Sequence, residues 1–143
     1  MCAGLSFSTF EYSELSVITS DKPNVVVSAM VKNIGAVDAH EVAQLYVTVP
    51  GAGATTPLAI PYRSLQGFAR PMLKAGSTQR VTFTLDPSQY STVQADGTAL
   101  VTDGSYSVSV SGHQPADQAG LVQSNVVCGS FEVASGVIVM AQF

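Results

Sequence analysis

Apolar side chains recur at every second position through most of this chain. Over Val25–Lys32, Val25, Val27, Ala29 and Val31 alternate with Val26, Ser28, Met30 and Lys32. Glu41–Val49 places Ala43, Leu45, Val47 and Val49 on one face. Val81, Phe83 and Leu85 alternate with Thr82, Thr84 and Asp86, and Tyr106, Val108 and Val110 alternate with serines. A period of two is the signature of a strand with one face on a core. An opening strand is expected through Leu5, Phe7, Phe10, Tyr12, Leu15 and Val17, kinked at Ser8-Thr9, and a final one near Ser130–Ala134. No segment sustains a helical period, and no internal repeat is evident.

Turn signals separate these runs. Asn33-Ile34-Gly35 ends one strand, Gly67-Phe68 reads as a turn, and Lys74-Ala75-Gly76-Ser77 as a bend. Pro50–Tyr62 is too apolar for a flexible linker and too rich in proline for a central strand. About seven short antiparallel strands with turns between them predict an all-β, immunoglobulin-like sandwich. A jelly roll or small barrel has compatible spacing, but the pairing of one apolar with one polar face favours the sandwich. Tyr106, just after Asp103-Gly104, is placed either for a corner hydrogen bond or as a half-buried strand tyrosine.

Composition narrows the function. The 143 residues suffice for one domain, expected over 1–143. Charged residues are only 11% and the net charge is −4, with Lys22, Lys32, Arg63, Arg70, Lys74 and Arg80 scattered, so nucleic-acid binding is disfavoured. No apolar run approaches the roughly 20 residues of a spanning helix; the longest is Gly136–Ala141. Low charge and abundant Ser and Thr suit an extracellular setting, yet the N-terminus lacks a basic-then-apolar signal, so the chain reads as a piece of something larger.

Candidate chemistry is sparse. Cys2 and Cys128 could close a long loop worth about 4–5 kcal/mol, or be two separate thiols. No C-x-x-C and no ligand-spaced histidine accompany them, so no metal or other cofactor is expected. His40 and His113 read as exposed loop residues. No serine has a G-x-S-x-G setting, and no phosphate-cradling glycine motif occurs.

Four blocks occur in order: GLSFSTFEYSEL, VKNIGAVDAHEVAQLYV, RSLQGFARPMLKAGSTQRVTFTL and GTALVTDGSYSVSVSG. Together, over about Gly4–Gly112, they resemble the fibronectin type III-like domain that ends many family 3 glycoside hydrolases, the β-glucosidases and β-xylosidases. Ala75 departs from the family's usual proline, Ala99-Leu100 from its usual aromatic, and the segment after His113 matches nothing in the pattern. The resemblance implies a sandwich in which Leu65, Phe68, Val81, Phe83 and Leu85 are core. It also implies that the catalytic carboxylates lie in other domains of the parent protein.

A retaining glycosidase needs two carboxyl groups about 5–5.5 Å apart. The pairs available here, Glu11/Glu14, Asp38/Glu41 and Asp96/Asp103, stand at turns and strand edges, so no catalytic residue is assigned and no glycosidase activity is expected of this chain alone. The expected role is an accessory module packed on the catalytic domains of a glycosidase, with Leu58, Ile60, Tyr62 and Arg63 as the contact. A carbohydrate-binding module is the alternative, with Tyr62 and Tyr90 as stacking residues and a polysaccharide as partner. The absence of tryptophan weakens that alternative. An unrelated adhesion sandwich is the third possibility.

Overall fold

The computed structural model describes residues 6–19, 24–55, 59–116 and 125–134, with the course of one further strand at 137–142. Its strands in chain order are β1 (Phe10–Thr19), β2 (Val25–Asn33), β3 (Ala39–His40), β4 (Ala43–Thr48), β5 (Ser64–Ala69), β6 (Met72–Leu73) and β7 (Thr78–Leu85). A single helical turn α1 (Pro87–Tyr90) follows, then β8 (Thr92–Val93), β9 (Ala99–Leu100), β10 (Gly104–Ser111), β11 (Val126–Ala134) and β12 (Val137–Gln142). One sheet has the order β1-β2-β7 and the other β12-β11-β10-β4-β5, with β3-β6 and β8-β9 as small ribbons. All pairings are antiparallel. The expected sandwich is therefore present, with eight strands in its two main sheets.

Its core is the set the alternation selects. Val25, Val27, Ala29 and Val31 of β2 and Val81, Phe83 and Leu85 of β7 face Ala43, Leu45 and Val47 of β4 and Tyr106, Val108 and Val110 of β10. Tyr106 also makes the corner bond: its hydroxyl donates to the Thr102 carbonyl at 2.7 Å. Tyr106 and Phe131 stack with centroids 5.1 Å apart, and Tyr90 stands edge-on to both at 5.6 and 5.5 Å.

Three strands differ from the sequence expectation. β1 begins at Phe10, leaving Phe7 98% exposed, and Leu5 lies outside the described residues. The irregularity sits not at Ser8-Thr9 but at a bulge between Ser13 and Ser16, where Glu14 has φ 50°. A bulge inserts one residue and reverses which parity points inward. Hence Phe10 and Tyr12 are buried before it and Val17 after it. The strand expected near Ser130–Ala134 is β11, which starts earlier, at Val126, and it is not the final one: the apolar run near the C-terminus forms β12 at the sheet's edge.

The third difference is β5, where a turn was expected. Leu45 pairs with Gly67, and the register then slips so that Tyr46 pairs with Leu65. Gly67 is the inward position, and a Cβ there would stand 3.0 Å from the Phe83 ring carbon that fills the space. Leu65 and Phe68, opposite Tyr46 and Gln44, point outward instead. They are 44% and 73% exposed, so they are surface and not core, whereas Val81, Phe83 and Leu85 are buried.

Candidate functional site

The loop between β4 and β5 is built, not slack. Gly53 N–H donates to the Ile60 carbonyl at 2.9 Å and Ile60 N–H to the Ala54 carbonyl at 2.9 Å, so the two arms pair at their base. The Tyr62 ring lies on Gly53, where a Cβ would come within 2.7 Å of it. That packing fixes a tyrosine that is still 57% exposed. Ile60 is half-buried, and Leu58 lies outside the described residues.

Beneath Ile60 runs a groove of about 230 Å³. Val47, Val49, Ile60 and Val93 form its apolar part, and Ser64, Gln66, Gln89 and Ser91 its polar part. The capping box of α1 shapes the far wall. Asp86 accepts from the Ser88 N–H at 2.9 Å, and Gln89 accepts from the Asp86 N–H at 3.0 Å while donating to the Gln66 carbonyl at 2.8 Å. Hydrogen bonds from the Ser88 hydroxyl and the Ser88 N–H, with a lesser one from the Gln89 N–H, hold the Asp86 carboxyl below its ordinary range.

Arg63 leads from the loop onto the outward face of the five-stranded sheet. Burial pushes the Tyr46 phenol and the Cys128 thiol up, and the nearby Arg63 guanidinium draws both back down. Tyr46, although on the outward face, is 4% exposed and donates its hydroxyl to Gln44 Oε1 at 2.5 Å. Cys128 is a free thiol, and Cys2 lies outside the described residues.

The two candidate stacking residues part company here. Tyr90 is 2% exposed, wedged against Tyr106 and Phe131, and has no ring face to offer a sugar. Tyr90 ends the α1 turn as its buried residue. Tyr62 alone remains on the surface.

Three of the six carboxylates available for a catalytic pair accept defined hydrogen bonds. Asp38 accepts from the Ala75 N–H at 2.8 Å, and Asp96 from the Thr98 N–H at 2.9 Å and its hydroxyl at 2.6 Å. Glu41 accepts from the Tyr12 hydroxyl at 2.8 Å. His40 is exposed and His113 half-buried. Among the described residues no group of three or more His, Cys, Asp or Glu could hold a metal ion, and no helix is long and apolar enough to cross a membrane.

Leu65 and Phe68 are surface residues, although the family resemblance implies that they are core. Their spacing of three was the available signal, since a regular strand cannot turn both inward, and Gly67 between them marks the inward position.

A family model for the fibronectin type III-like domain matches residues 41–114. The chain belongs to the fibronectin type III-like domain family. The Fn3-like domain is 35% identical over 115 residues to a probable β-glucosidase M of Emericella nidulans, aligning 65% of this chain with 14% of that protein. It is 40% identical over 86 residues to thermostable β-glucosidase B of Acetivibrio thermocellus, aligning 58% of this chain with 11% of that one. Among solved structures, β-glucosidase 3B of Thermotoga neapolitana superposes with a TM-score of 0.71 at 26% identity, covering 92% of this chain and 17% of that enzyme. The Fn3-like domain thus spans only a small fraction of the length of the relatives it matches.

Proposed function

We propose that this Fn3-like domain is the accessory module of a family 3 glycoside hydrolase, of β-glucosidase or β-xylosidase type. It packs on the catalytic portion and stabilises it, and the reacting carboxylates lie elsewhere in the parent chain. The observation that carries this proposal is the match of nearly the whole chain to a small part of a β-glucosidase. The hydrogen bonds that Asp38, Glu41 and Asp96 accept from Ala75, Tyr12 and Thr98 support the non-catalytic role, because each carboxylate holds a structural donor in place. The ordered loop carrying Ile60, Tyr62 and Arg63, with Leu58 in its undescribed part, supplies contact to the partner. Low charge and abundant Ser and Thr support an extracellular parent.

Two measurements test the proposal. The purified chain should not turn over an aryl β-glucoside or β-xyloside; turnover would overturn the non-catalytic role. When the chain replaces the corresponding segment of the Thermotoga neapolitana enzyme, the thermal midpoint should exceed that of the enzyme lacking the segment. If the midpoints are equal and the isolated chain is instead retained on a polysaccharide, the domain binds sugar, with Tyr62 the ring to substitute.

A further inference from the structure

Charge is distributed unevenly along this chain. From Val42 to Leu85 there is no Asp or Glu, yet Arg63, Arg70, Lys74 and Arg80 all fall there, although the net charge of the whole is −4. Arg80 belongs to the other sheet, where its Nη1 lies 3.2 Å from Ser28 Oγ. Arg63 and Arg70 flank β5 directly, and Lys74 follows β6.

That strand carries the exposed apolar side chains Leu65 and Phe68, with Tyr62 just before it and Met72, 51% exposed, just after. Leu65 and Phe68 lie on edge strand β5, Tyr62 in the loop before it and Met72 on the β3-β6 ribbon after it. Four large exposed apolar residues within eleven positions are not the scattered singles of an ordinary surface. The edge itself is not open for indiscriminate strand pairing, because the bulge at Gln66 breaks its register and Gln89 caps the Gln66 carbonyl. What remains is an outward apolar strip, anchored by an aromatic and rimmed by cations.

We infer that this strip, Tyr62, Leu65, Phe68 and Met72 with Arg63 and Arg70 at its rim, is the docking surface for the catalytic portion of the parent glycosidase. It meets there an apolar surface rimmed by carboxylates. The inference rests on the accessory role proposed above and moves the main contact from the loop tip to the outward face of β5. The catalytic portion is the occupant because the relatives hold the matching segment inside a far longer chain. Two copies meeting through this strip would set one cationic rim against the other, so the rim selects an acidic surround over a second copy. Phe68 is the anchor, since interface energy concentrates in buried aromatic and arginine side chains.

The test uses the Thermotoga neapolitana enzyme carrying this chain in place of its own segment. Phe68→Asp with Leu65→Asp should remove most of the gain in thermal midpoint over the enzyme lacking the segment. Arg70→Glu should remove part of it, and less at high salt, where rim charges are screened. The control Thr82→Asp with Thr84→Asp, on exposed positions of β7, should leave the gain intact. The isolated chain bearing the Phe68 and Leu65 changes should melt as the unaltered chain does, which separates lost docking from unfolding. If the chimera gains stability but the Phe68 and Leu65 changes leave it untouched, this surface is wrong while the accessory role stands. If the chimera gains nothing over the truncated enzyme, the accessory role falls and this inference with it. A stable dimer of the isolated chain, abolished by Phe68→Asp, would instead make a second copy the occupant and overturn the assignment.

Discussion

Asn125 serves Tyr12 as a neighbouring strand would. Its Oδ1 accepts the Tyr12 main-chain N–H at 2.8 Å, and its Nδ2 donates to the Phe10 carbonyl at 2.7 Å. One side-chain amide thus closes the outer edge of β1 and ties the three-stranded sheet to the start of β11, where Asn125 itself has φ 67°. Asparagine suits both demands, because it tolerates the left-handed region and carries a donor beside an acceptor.

This dual role predicts an order of stability. Asn125→Gly keeps the backbone conformation and loses only the two bonds, costing about 1–2 kcal/mol. Asn125→Ala loses the bonds and adds left-handed strain, costing about 1 kcal/mol more. Urea unfolding measures both; equal stability of the alanine variant and the unaltered chain would contradict the bridging role.

Asn33, at the end of β2, is fully buried with all four amide valences met. Its Oδ1 accepts from the Ser8 hydroxyl and, at 3.0 Å, from the Gly35 N–H. Its Nδ2 donates to the carbonyls of Val37 at 2.8 Å and Leu73 at 3.0 Å. Asn33→Ala strands buried polar groups on several segments at once and should cost about 2–4 kcal/mol. A loss under 1 kcal/mol in denaturant titration would mean that water replaces the amide.

The strands that could be read from sequence are those with one wet and one buried face. In β2, β4, β7 and β10 the inward residues keep one parity along their length, so two-residue alternation selects the core directly. Where parity breaks, the pattern misleads. The Glu14 bulge reverses the inward set within β1, and Gly67 takes β5's inward position without a hydrophobic side chain to mark it. Tyr90 was readable by another route, since Asp86-Pro87-Ser88-Gln89 is a capping sequence that starts a helical turn. The bonds of Asn125 and Glu41 join residues far apart in the chain, which no local pattern encodes. The loop before β5 is legible as an apolar, proline-rich insertion, but the outward face of β5 is not.

Exposure separates surface from core on β5. Phe68→Ser and Leu65→Ser in the isolated chain should each change stability by no more than about 0.5 kcal/mol. Phe131→Ala, which opens a cavity against Tyr90 and Tyr106, should cost about 3–5 kcal/mol. Comparable losses for Phe68 and Phe131 would return Phe68 to the core.

Glu41 sets a pH response, and Gly112 leaves it room. Burial pushes the Glu41 carboxyl above its ordinary value of 4.5, outweighing the downward pull of the Tyr12 hydroxyl, the Val42 N–H and His113. A carboxyl that protonates more readily when folded gives the folded state more bound protons. Its contribution to stability therefore falls as pH rises from about 4.5 through the higher folded value, then levels off. Glu41→Gln keeps an acceptor for Tyr12 without the charge, so it should flatten this decline and be at least as stable at pH 7. Glu41→Ala removes the acceptor and should cost about 1–2 kcal/mol. A Cβ at Gly112 would collide with Glu41 Oε1 and turn it away from the Tyr12 hydroxyl. Gly112→Ala should accordingly destabilise the unaltered chain but do little in the Glu41→Ala background, a coupling of about 0.5–3 kcal/mol. Denaturant midpoints at pH 4, 5.5 and 7 measure both effects; an unchanged pH slope in Glu41→Gln, or simple additivity with Gly112→Ala, would remove Glu41 from this role.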